Sequence, residues 1–247
     1  NPNLKAIQIL KPDLPTSIFD ILILPKHDKF KEKPSNTLLI NIDGAITNPL
    51  ETLSDEENEY WSYKFDALPS PKVALFIGGI EKRKRINNLI TAITNLNKQG
   101  IKAKTLIVGD GPDLEWVKQN MQEIDKQYSI FAGKHIEDAV LYILVSDVVV
   151  LPAEGGLSIN HAFACGKPFI GSEEIENGGI YDYVKDGYNG FVVKKNNINE
   201  LEEKLRTIFT DNNLYHQLIK GAMETSDRID IPNMVNGIEN AIKYSCI

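Results

Sequence analysis

The chain has 247 residues, 42% of them hydrophobic, which is enough for one large or two small domains. Its formal net charge of −7 argues against bulk binding of nucleic acid, which requires a positive surface. No apolar run is long enough to span a membrane, and the two cysteines have neither disulfide nor zinc spacing. We therefore predict a reducing, cytoplasmic location, with attachment at a membrane surface as the alternative. Because the chain begins with Asn1, we expect a trimmed or partial product.

Three short apolar runs predict strands at 4–10, 18–25 and 37–42. Proline-rich joints connect them without a long helix, as expected for the remaining end of an α/β domain. An acidic and then aromatic stretch, 50–66, predicts an amphipathic helix between two domains. The segment 68–71, Leu-Pro-Ser-Pro, is typical of a rigid linker, so the predicted domains are 1–67 and 68–247.

From residue 72 onward, apolar runs alternate regularly with helical patterns. The predicted strands are 73–77, 104–108, 129–131, 148–151, 169–170 and 190–193. The predicted helices are 86–99, 113–126, 136–145, 159–165, 180–185, 198–210, 212–226 and 232–244. Because the strands are apolar throughout and helices follow them, we predict an α/β fold, a Rossmann-type parallel sheet with helices on both faces.

Residues 150–171 combine a strand end, a glycine turn, a short helix and a new strand. Gly155 and Gly156 allow a tight turn in which no Cβ atom keeps a ligand at a distance. Ser158 is a predicted N-cap, and Gly166 followed by Pro168 predicts the end of the helix. Such a helix presents its first N–H groups at the carboxyl edge of the sheet, where phosphates bind in open α/β folds.

Four consecutive cations, residues 82–85, follow Gly78 and Gly79 at the end of a predicted strand. They either offer charge to a diphosphate or form a solvated basic start of a helix. The position at a strand's carboxyl edge favours the diphosphate. Cations at a helix start oppose the helix dipole, so local stability does not explain them. The segment lacks the Gly-Lys-Ser/Thr ending of a Walker loop.

Two more turns follow predicted strands. The Asp-Gly-Pro sequence after Gly109 is a strong turn signal, and both a structural role and a role in lining a cleft are open. Gly133, Lys134 and His135 are either simply exposed or present main-chain groups to the edge of a nucleobase.

Two side chains near the glycine turn are candidates for sugar contact. Glu154 is a candidate hydrogen-bond partner of sugar hydroxyls. His161, one helical turn inward, is either a structural histidine or a ligand contact. The four histidines are not spaced as a zinc site, and no Gly-x-Ser-x-Gly elbow indicates a covalent nucleophile.

Taken in order, these motifs make residues 72–245 resemble the donor-binding half of a GT-B glycosyltransferase, nearest to the retaining family-4 type. The residues that carry the resemblance are Gly78-Gly79 with Lys84, Gly109-Asp110-Gly111-Pro112, Phe131-Ala132-Gly133, 146–152, 156–168 and 184–193. More weakly, residues 19–79 are similar to a GT-B-like family named for mitochondrial fission, through Pro25-Lys26-His27-Asp28 and the 68–79 segment. This second resemblance implies that the first domain is the end of an acceptor domain.

The resemblance implies roles for the residues at its motifs. Lys84 would bind the donor diphosphate, the amides of 156–159 would meet the phosphates or the sugar, and the 133–135 loop would face the base. There are departures from the family pattern. Gly79 stands where the family usually has Arg, although Arg83 supplies a charge. Of the paired glutamates of the family, Glu154 lies near the first position and His161 occupies the second.

We therefore expect a glycosyltransferase that moves a hexose from a UDP- or GDP-linked sugar to an acceptor, with retention implied by the resemblance alone. The departing diphosphate gains negative charge, so groups that hold it more tightly lower the barrier. Glu154 and Lys84 are the expected catalytic residues. The expected donor-binding residues are Gly78, Gly79, Arg83, Lys84, Gly109, Gly133, Lys134, His135, Gly155, Gly156, Leu157, Ser158 and His161.

No cofactor and no metal are expected, because lysine and arginine supply the positive charge. The acceptor is unknown. One alternative is a nucleotide-sugar-binding module without activity, and another is the donor subunit of an enzyme whose acceptor domain is a separate chain. A non-glycosyl enzyme of the same architecture, such as an epimerase, is less favoured.

Overall fold

The computed structural model describes residues 6–9, 15–25, 37–42, 72–135, 139–153, 156–173 and 182–245. The chain divides into two compact units, Asn1–Pro49 with Ser226–Ile247, and Leu50–Thr225. The sequence-based division instead assigns the last 22 residues to the second domain. The predicted helix 50–66, the linker 68–71 and the candidates Glu154 and Gly155 lie outside the described residues.

The first unit contains three parallel strands, β1 (Ile7–Ile9), β2 (Ile21–Pro25) and β3 (Leu38–Ile42), in that spatial order. Ile21 lies opposite Ile7 on one side and Leu38 on the other. The Thr37 hydroxyl donates to the Phe19 carbonyl at 2.9 Å and so fixes the entry into β3. All three strands fall within the predicted runs.

The second unit alternates strands and helices. Its strands are β4 (Lys72–Ile77), β5 (Ala103–Val108), β6 (Ser129–Gly133), β7 (Val148–Leu151), β8 (Phe169–Ser172) and β9 (Gly190–Val193). The helices are α1 (Ile86–Lys98), α2 (Leu114–Gln119), α3 (Glu123–Tyr128), α4 (Ala139–Leu144), α5 (Ser158–Ala164), α6 (Ile198–Thr210) and α7 (Asn212–Ile229), whose last residues extend beyond this unit.

The six strands form one parallel sheet in the order β6-β5-β4-β7-β8-β9. From β4 the chain moves outward to β5 and β6, then returns to the other side of β4 and moves outward again from β7. Because crossovers are right-handed, this reversal puts helices on both faces. Accordingly, α1 packs with β5, α3 and α6, whereas α4 packs with α5. The predicted parallel sheet is confirmed.

The helices bury one apolar stripe each. In α1 the buried stripe includes Leu89, Ile90, Ile93 and Leu96, the spacing expected for one face of a helix. The helix α5 ends as predicted at Gly166, whose φ of +65° is left-handed. The Gly166 N–H donates to Phe163 and the Lys167 N–H to Ala162, which satisfies the last carbonyls of the helix.

One predicted helix, 113–126, is in fact two. Asp125 is the reason, because its Oδ2 accepts the Gln122 N–H at 2.8 Å and so starts α3. Its Oδ1 accepts the buried Thr94 hydroxyl at 2.7 Å, which ties α3 to α1. That second contact joins residues 31 positions apart, so the local pattern does not report it.

The last helix, α8 (Ile231–Ser245), belongs to the first unit and packs against β2 and β3. Its Met234 and Ile238 lie against the buried Ile21 and Ile23. None of the helices in the described residues is long and apolar enough to cross a membrane.

Candidate functional site

A cavity of about 560 Å³ opens at the carboxyl ends of the central strands of the second unit. It lies where the strand order reverses, between the loops after β4, β5 and β6 and the helix α5 that follows β7. Open α/β sheets bind ligands at this point. Its lining consists of Ile77, Gly78, Gly79, Val108, Gly109, Asp110, Gly111, Lys134, His135, Ala139, Ser158 and His161.

Main-chain hydrogen bonds join the three strand-end loops to one another. The Gly78 N–H donates to the Val108 carbonyl at 3.0 Å, and the Gly109 N–H donates to the Gly133 carbonyl at 2.7 Å. Two residues further along the first loop, the Ile80 N–H donates to the Asp110 carbonyl at 3.0 Å. The sheet's pairing thus continues past the strand ends, so this side of the cavity is a pre-organised backbone surface.

The glycines of these loops are required by close packing. Gly109 has a φ of +148°, and a Cβ built on it would lie 1.9 Å from the Gly78 carbonyl oxygen. A Cβ on Gly111 would lie 2.3 Å from the Ile80 carbonyl oxygen. The turn after β5 is therefore structural, and its backbone also lines the cavity, so the two roles considered from the sequence are compatible.

The four cations of residues 82–85 do not all have the same partners. Lys82 lies 3.9 Å from an Asp113 oxygen, with its ammonium 4.9 Å from the centre of the Trp116 ring. Arg83 donates to both carboxylate oxygens of Glu81, at 2.6 and 3.0 Å, and this contact lowers the pKa of Glu81.

The other two cations of the run frame the start of α1. Arg85 has a left-handed φ of 52° and donates to Asn196 at 3.3 Å. Lys84 is the last residue of a one-turn 3-10 helix, Lys82–Lys84, and is half-buried. The cavity lining, among the described residues, includes Lys134 but neither Arg83 nor Lys84.

The start of α5 contributes two side chains one turn apart, Ser158 and His161, to the opposite side of the cavity. Ser158 is not the predicted N-cap. It is the first residue of the helix, and Leu157 occupies the N-cap position with φ −57° and ψ −18°. At the start of α5 the Ile159 N–H donates to the Gly156 carbonyl at 3.2 Å. It is the first main-chain N–H of this turn that has an acceptor among the described residues. The amides of Leu157 and Ser158 precede it.

Gly156 and Leu157 stand at the entrance to this turn. A Cβ on Gly156 would meet nothing within 4 Å, so the space beside it is open. The Leu157 side chain is 57% exposed. Neither residue is part of the lining described above.

His161 is exposed, yet partial burial lowers its pKa from the ordinary 6.5. The two observations agree if the exposed surface is the part of the ring that faces the cavity. His161 therefore offers the cavity a neutral imidazole, which can donate one hydrogen bond and accept another.

His135 lies across the cavity from α5 and is held by two groups. Its Nε2 is 2.9 Å from the Ala132 carbonyl oxygen and 2.9 Å from the Tyr142 hydroxyl. The Tyr142 ring packs against the imidazole with 4.5 Å between ring centres. The sequence did not indicate a role for Tyr142, because nothing in its local pattern distinguishes it from a core residue of α4.

The structure thus brings together Gly78, Gly79, Gly109, Lys134, His135, Ser158 and His161 around one cavity. Gly133 is adjacent, through its bond to Gly109. Ile80 was not a candidate from the sequence. Its side chain is fully buried, and its carbonyl oxygen accepts the Asp113 N–H at 3.2 Å. Within the described ranges no group of three or more His, Cys, Asp or Glu side chains is arranged to hold a metal ion.

Comparison with solved structures supports the fold. HepE from Anabaena, crystallised with UDP and glucose, superposes with a TM-score of 0.73 at 20% identity, covering 96% of this chain and 71% of its own. Sucrose-phosphate synthase from Thermosynechococcus elongatus gives 0.71 at 20% identity, covering 92% and 58%. These likenesses show a GT-B fold.

Several known proteins are similar in sequence, and two of them illustrate this. N-acetyl-alpha-D-glucosaminyl L-malate synthase of Bacillus anthracis is 24% identical over 236 residues, 90% of this chain and 57% of the relative. An uncharacterised glycosyltransferase of Methanocaldococcus jannaschii is 32% identical over 151 residues, 56% and 36% of the two chains. The chain spans less than two thirds of the length of these relatives.

Two family profiles match the sequence. The family described as mitochondrial fission ELM1 matches residues 1–107, which supports the weaker N-terminal resemblance. The family described as glycosyl transferases group 1 matches residues 59–225, well over half of the chain. By the extent of this second match, the chain belongs to the group 1 glycosyl transferases.

Proposed function

We propose that the cavity binds a nucleoside diphosphate sugar, and that this chain is the donor-binding part of a hexosyltransferase. The observation that carries the proposal is the shared lining. Backbone from three interlocked glycine loops and the start of α5 face the same 560 Å³ space at the switch point of the sheet. Phosphates can approach such backbone closely, because no Cβ atoms intervene.

The donor's parts have different chemical requirements, and the cavity offers groups for each. The diphosphate is proposed to meet the amide and hydroxyl of Ser158, which belongs to the cavity lining, and the Leu157 amide, Lys84 and Arg83, which are not part of that lining. As the glycosidic bond breaks, the diphosphate gains negative charge, and donors that hold it more tightly then lower the barrier. Glu154 is proposed to position sugar hydroxyls.

The comparisons support a nucleotide sugar as the ligand. Crystals of HepE contain UDP and glucose, and those of TarM from S. aureus contain UDP and alpha-GlcNAc-glycerol. Retention of the anomeric configuration is part of the proposal through family resemblance. The acceptor, and the choice between UDP and GDP, are left open by it.

A second candidate is a nucleotide-sugar-binding module, or a donor subunit that needs another chain for activity. One observation favours it. His161 lines the cavity where the family resemblance leads us to expect a glutamate.

The test is a calorimetric titration of the purified chain with UDP and with GDP, followed by a hydrolysis assay with the corresponding glucose and N-acetylglucosamine donors. Binding with turnover supports the transferase. Binding without turnover, even with acceptor sugars present, supports the module or subunit. A folded sample that binds neither nucleotide would overturn both.

A further inference from the structure

The carboxylate of Asp113 holds a loop other than its own. Asp113 stands at the N-cap position of α2, where an aspartate usually accepts an N–H of the helix that it precedes. In α2, all of whose residues are described, the Asp113 side chain caps no N–H group. Its Oδ2 instead accepts the main-chain N–H of Lys82, 31 positions earlier, at 2.9 Å. The side chain therefore joins two strand-end loops rather than capping α2.

Three further contacts join the start of α2 to the loop after β4. The Asp113 N–H donates to the Ile80 carbonyl at 3.2 Å. The Lys82 ammonium lies 3.9 Å from Asp113 Oδ1 and 4.9 Å from the centre of the Trp116 ring. The two loops also pack closely, because a Cβ on Gly111 would lie 2.3 Å from the Ile80 carbonyl oxygen. These contacts fix the loop after β4 at the point where its cations begin.

The Lys82 N–H is the first N–H group of the 3-10 turn Lys82–Lys84, which contains two of the cations proposed to meet the diphosphate. The N-cap residue of this turn, Glu81, provides no side-chain cap. Directly after the turn, Arg85 has a φ of 52°, a strained conformation for a residue with a Cβ atom. A strained turn without a local cap depends on contacts from outside, and Asp113 supplies one at its first N–H.

We infer that Asp113 is a positioning residue, which fixes the turn 82–84 so that Arg83 and Lys84 meet the diphosphate of the donor. The inference rests on the proposed function for its ligand, and on the contacts of Asp113 for its mechanism.

Charge and positioning predict opposite effects of removing the Asp113 carboxylate. A carboxylate near an anion site repels the anion, so the loss of its charge by itself strengthens anion binding. The loss of a positioning contact weakens it. Asp113→Asn separates the two effects, because an amide oxygen still accepts the Lys82 N–H but has no charge.

The first measurement needs no ligand. Amide hydrogen exchange followed by NMR reports how firmly the Lys82 N–H is held. We expect this N–H to exchange about fivefold faster in Asp113→Ala, the effect of one net hydrogen bond, and near the wild-type rate in Asp113→Asn. Equal Lys82 exchange in the wild-type chain and in Asp113→Ala would overturn the positioning role.

Asp211→Ala is the matched control. The Oδ1 atom of Asp211 accepts the Leu214 N–H at 3.0 Å, so this variant loses an ordinary N-cap at the start of α7, outside the cavity lining. It should leave both the Lys82 exchange rate and ligand affinity unchanged. Changes as large as those of Asp113→Ala would mean general loosening and would overturn the inference.

The second measurement compares inorganic pyrophosphate with whichever of UDP and GDP binds, by calorimetry at fixed salt. Asp113→Ala is expected to weaken both ligands by about fivefold, since both contain the diphosphate. Asp113→Asn should bind them at least as tightly as the wild-type chain. Unchanged or tighter binding in Asp113→Ala would contradict the inference, as would an equal loss in Asp113→Asn.

A mutant cycle identifies the side chains through which Asp113 acts. In a chain that already has Arg83→Ala and Lys84→Ala, adding Asp113→Ala should cause no further weakening. The same loss in both backgrounds would mean an independent role and would overturn the inference. Thermal denaturation of each variant verifies folding. If the wild-type chain binds neither pyrophosphate nor a nucleotide, the proposed function and the diphosphate role fail together, whereas the exchange rates still decide whether Asp113 holds the turn.

Discussion

Gly109 and Gly78 are in backbone contact, so close that a Cβ on Gly109 would lie 1.9 Å from the Gly78 carbonyl oxygen. The contact joins the loops after two neighbouring strands at the rim of the candidate donor cavity. Because the obstructing atom belongs to the backbone, a larger residue cannot be accommodated by a side-chain rotation. The position of the loops relative to one another therefore depends on glycine.

We predict that Gly109→Ala destabilises the chain by about 2–4 kcal/mol, combining overpacking with strain at a φ of +148°. Gly100→Ala is the matched control, since Gly100 also has a positive φ, +87°, but open space around it. The control should lose only about 1–2 kcal/mol, the cost of the left-handed conformation. Urea denaturation measures both. Equal losses would show that the contact with Gly78 is not the cause.

Lys84→Ala is predicted to weaken UDP or GDP binding by about 1–3 kcal/mol, the range for a hydrogen bond to a charged group. Arg83→Ala should also weaken binding, although part of the charge of Arg83 is offset by Glu81 at 2.6 Å. Lys220→Ala, which changes a 78% exposed lysine on α7, is the control and should bind normally. Calorimetry at moderate salt provides the affinities. An unchanged affinity in Lys84→Ala would remove that residue from the proposed site.

The lowered pKa of His161 predicts a contribution to acid sensitivity. Burial lowers the folded pKa below the ordinary 6.5, so the unfolded chain binds this proton more readily than the folded chain. Stability should therefore fall as the pH decreases below about 6.5, and the contribution is complete above that value. In His161→Gln the fall below about pH 6.5 should be shallower. Urea midpoints across this range test it, and parallel curves for the two proteins would contradict it.

Asn189 is predicted to be a structural residue before the last strand. It is fully buried, its Nδ2 donates to the Tyr183 carbonyl and the Thr225 hydroxyl at 2.8 and 2.9 Å, and its Oδ1 accepts the Lys185 N–H at 2.8 Å. Asn189→Ala should cost about 2–4 kcal/mol, since it leaves buried partners unsatisfied. Asn213→Ala, at an exposed position of α7, is the control. A loss no larger than the control's would exclude this role.

Several elements were predictable because their signals are local. Strands β7 and β9 and helix α6 have the predicted bounds, 148–151, 190–193 and 198–210. Apolar runs of strand length, helical periodicity and the Gly-Pro stop after α5 are properties of neighbouring residues. The α/β class and the parallel sheet followed from their alternation.

Contacts between distant parts of the chain explain what the local pattern could not predict. The helix 113–126 is divided because Asp125 bonds to Thr94 as well as to its own turn. Likewise, four adjacent cations are indistinguishable in sequence, and only their partners, among them Glu81, Asp113 and Asn196, separate them.

By itself, the sequence determined the order of the elements, the parallel sheet and the glycine turns at its carboxyl edge, because periodicity and turn preference are local. The tertiary structure alone decided that Gly109 meets Gly78, that Tyr142 holds His135, and that α8 packs on β2 and β3. Those relationships join residues far apart in the chain, and they arise only when the strands and helices pack.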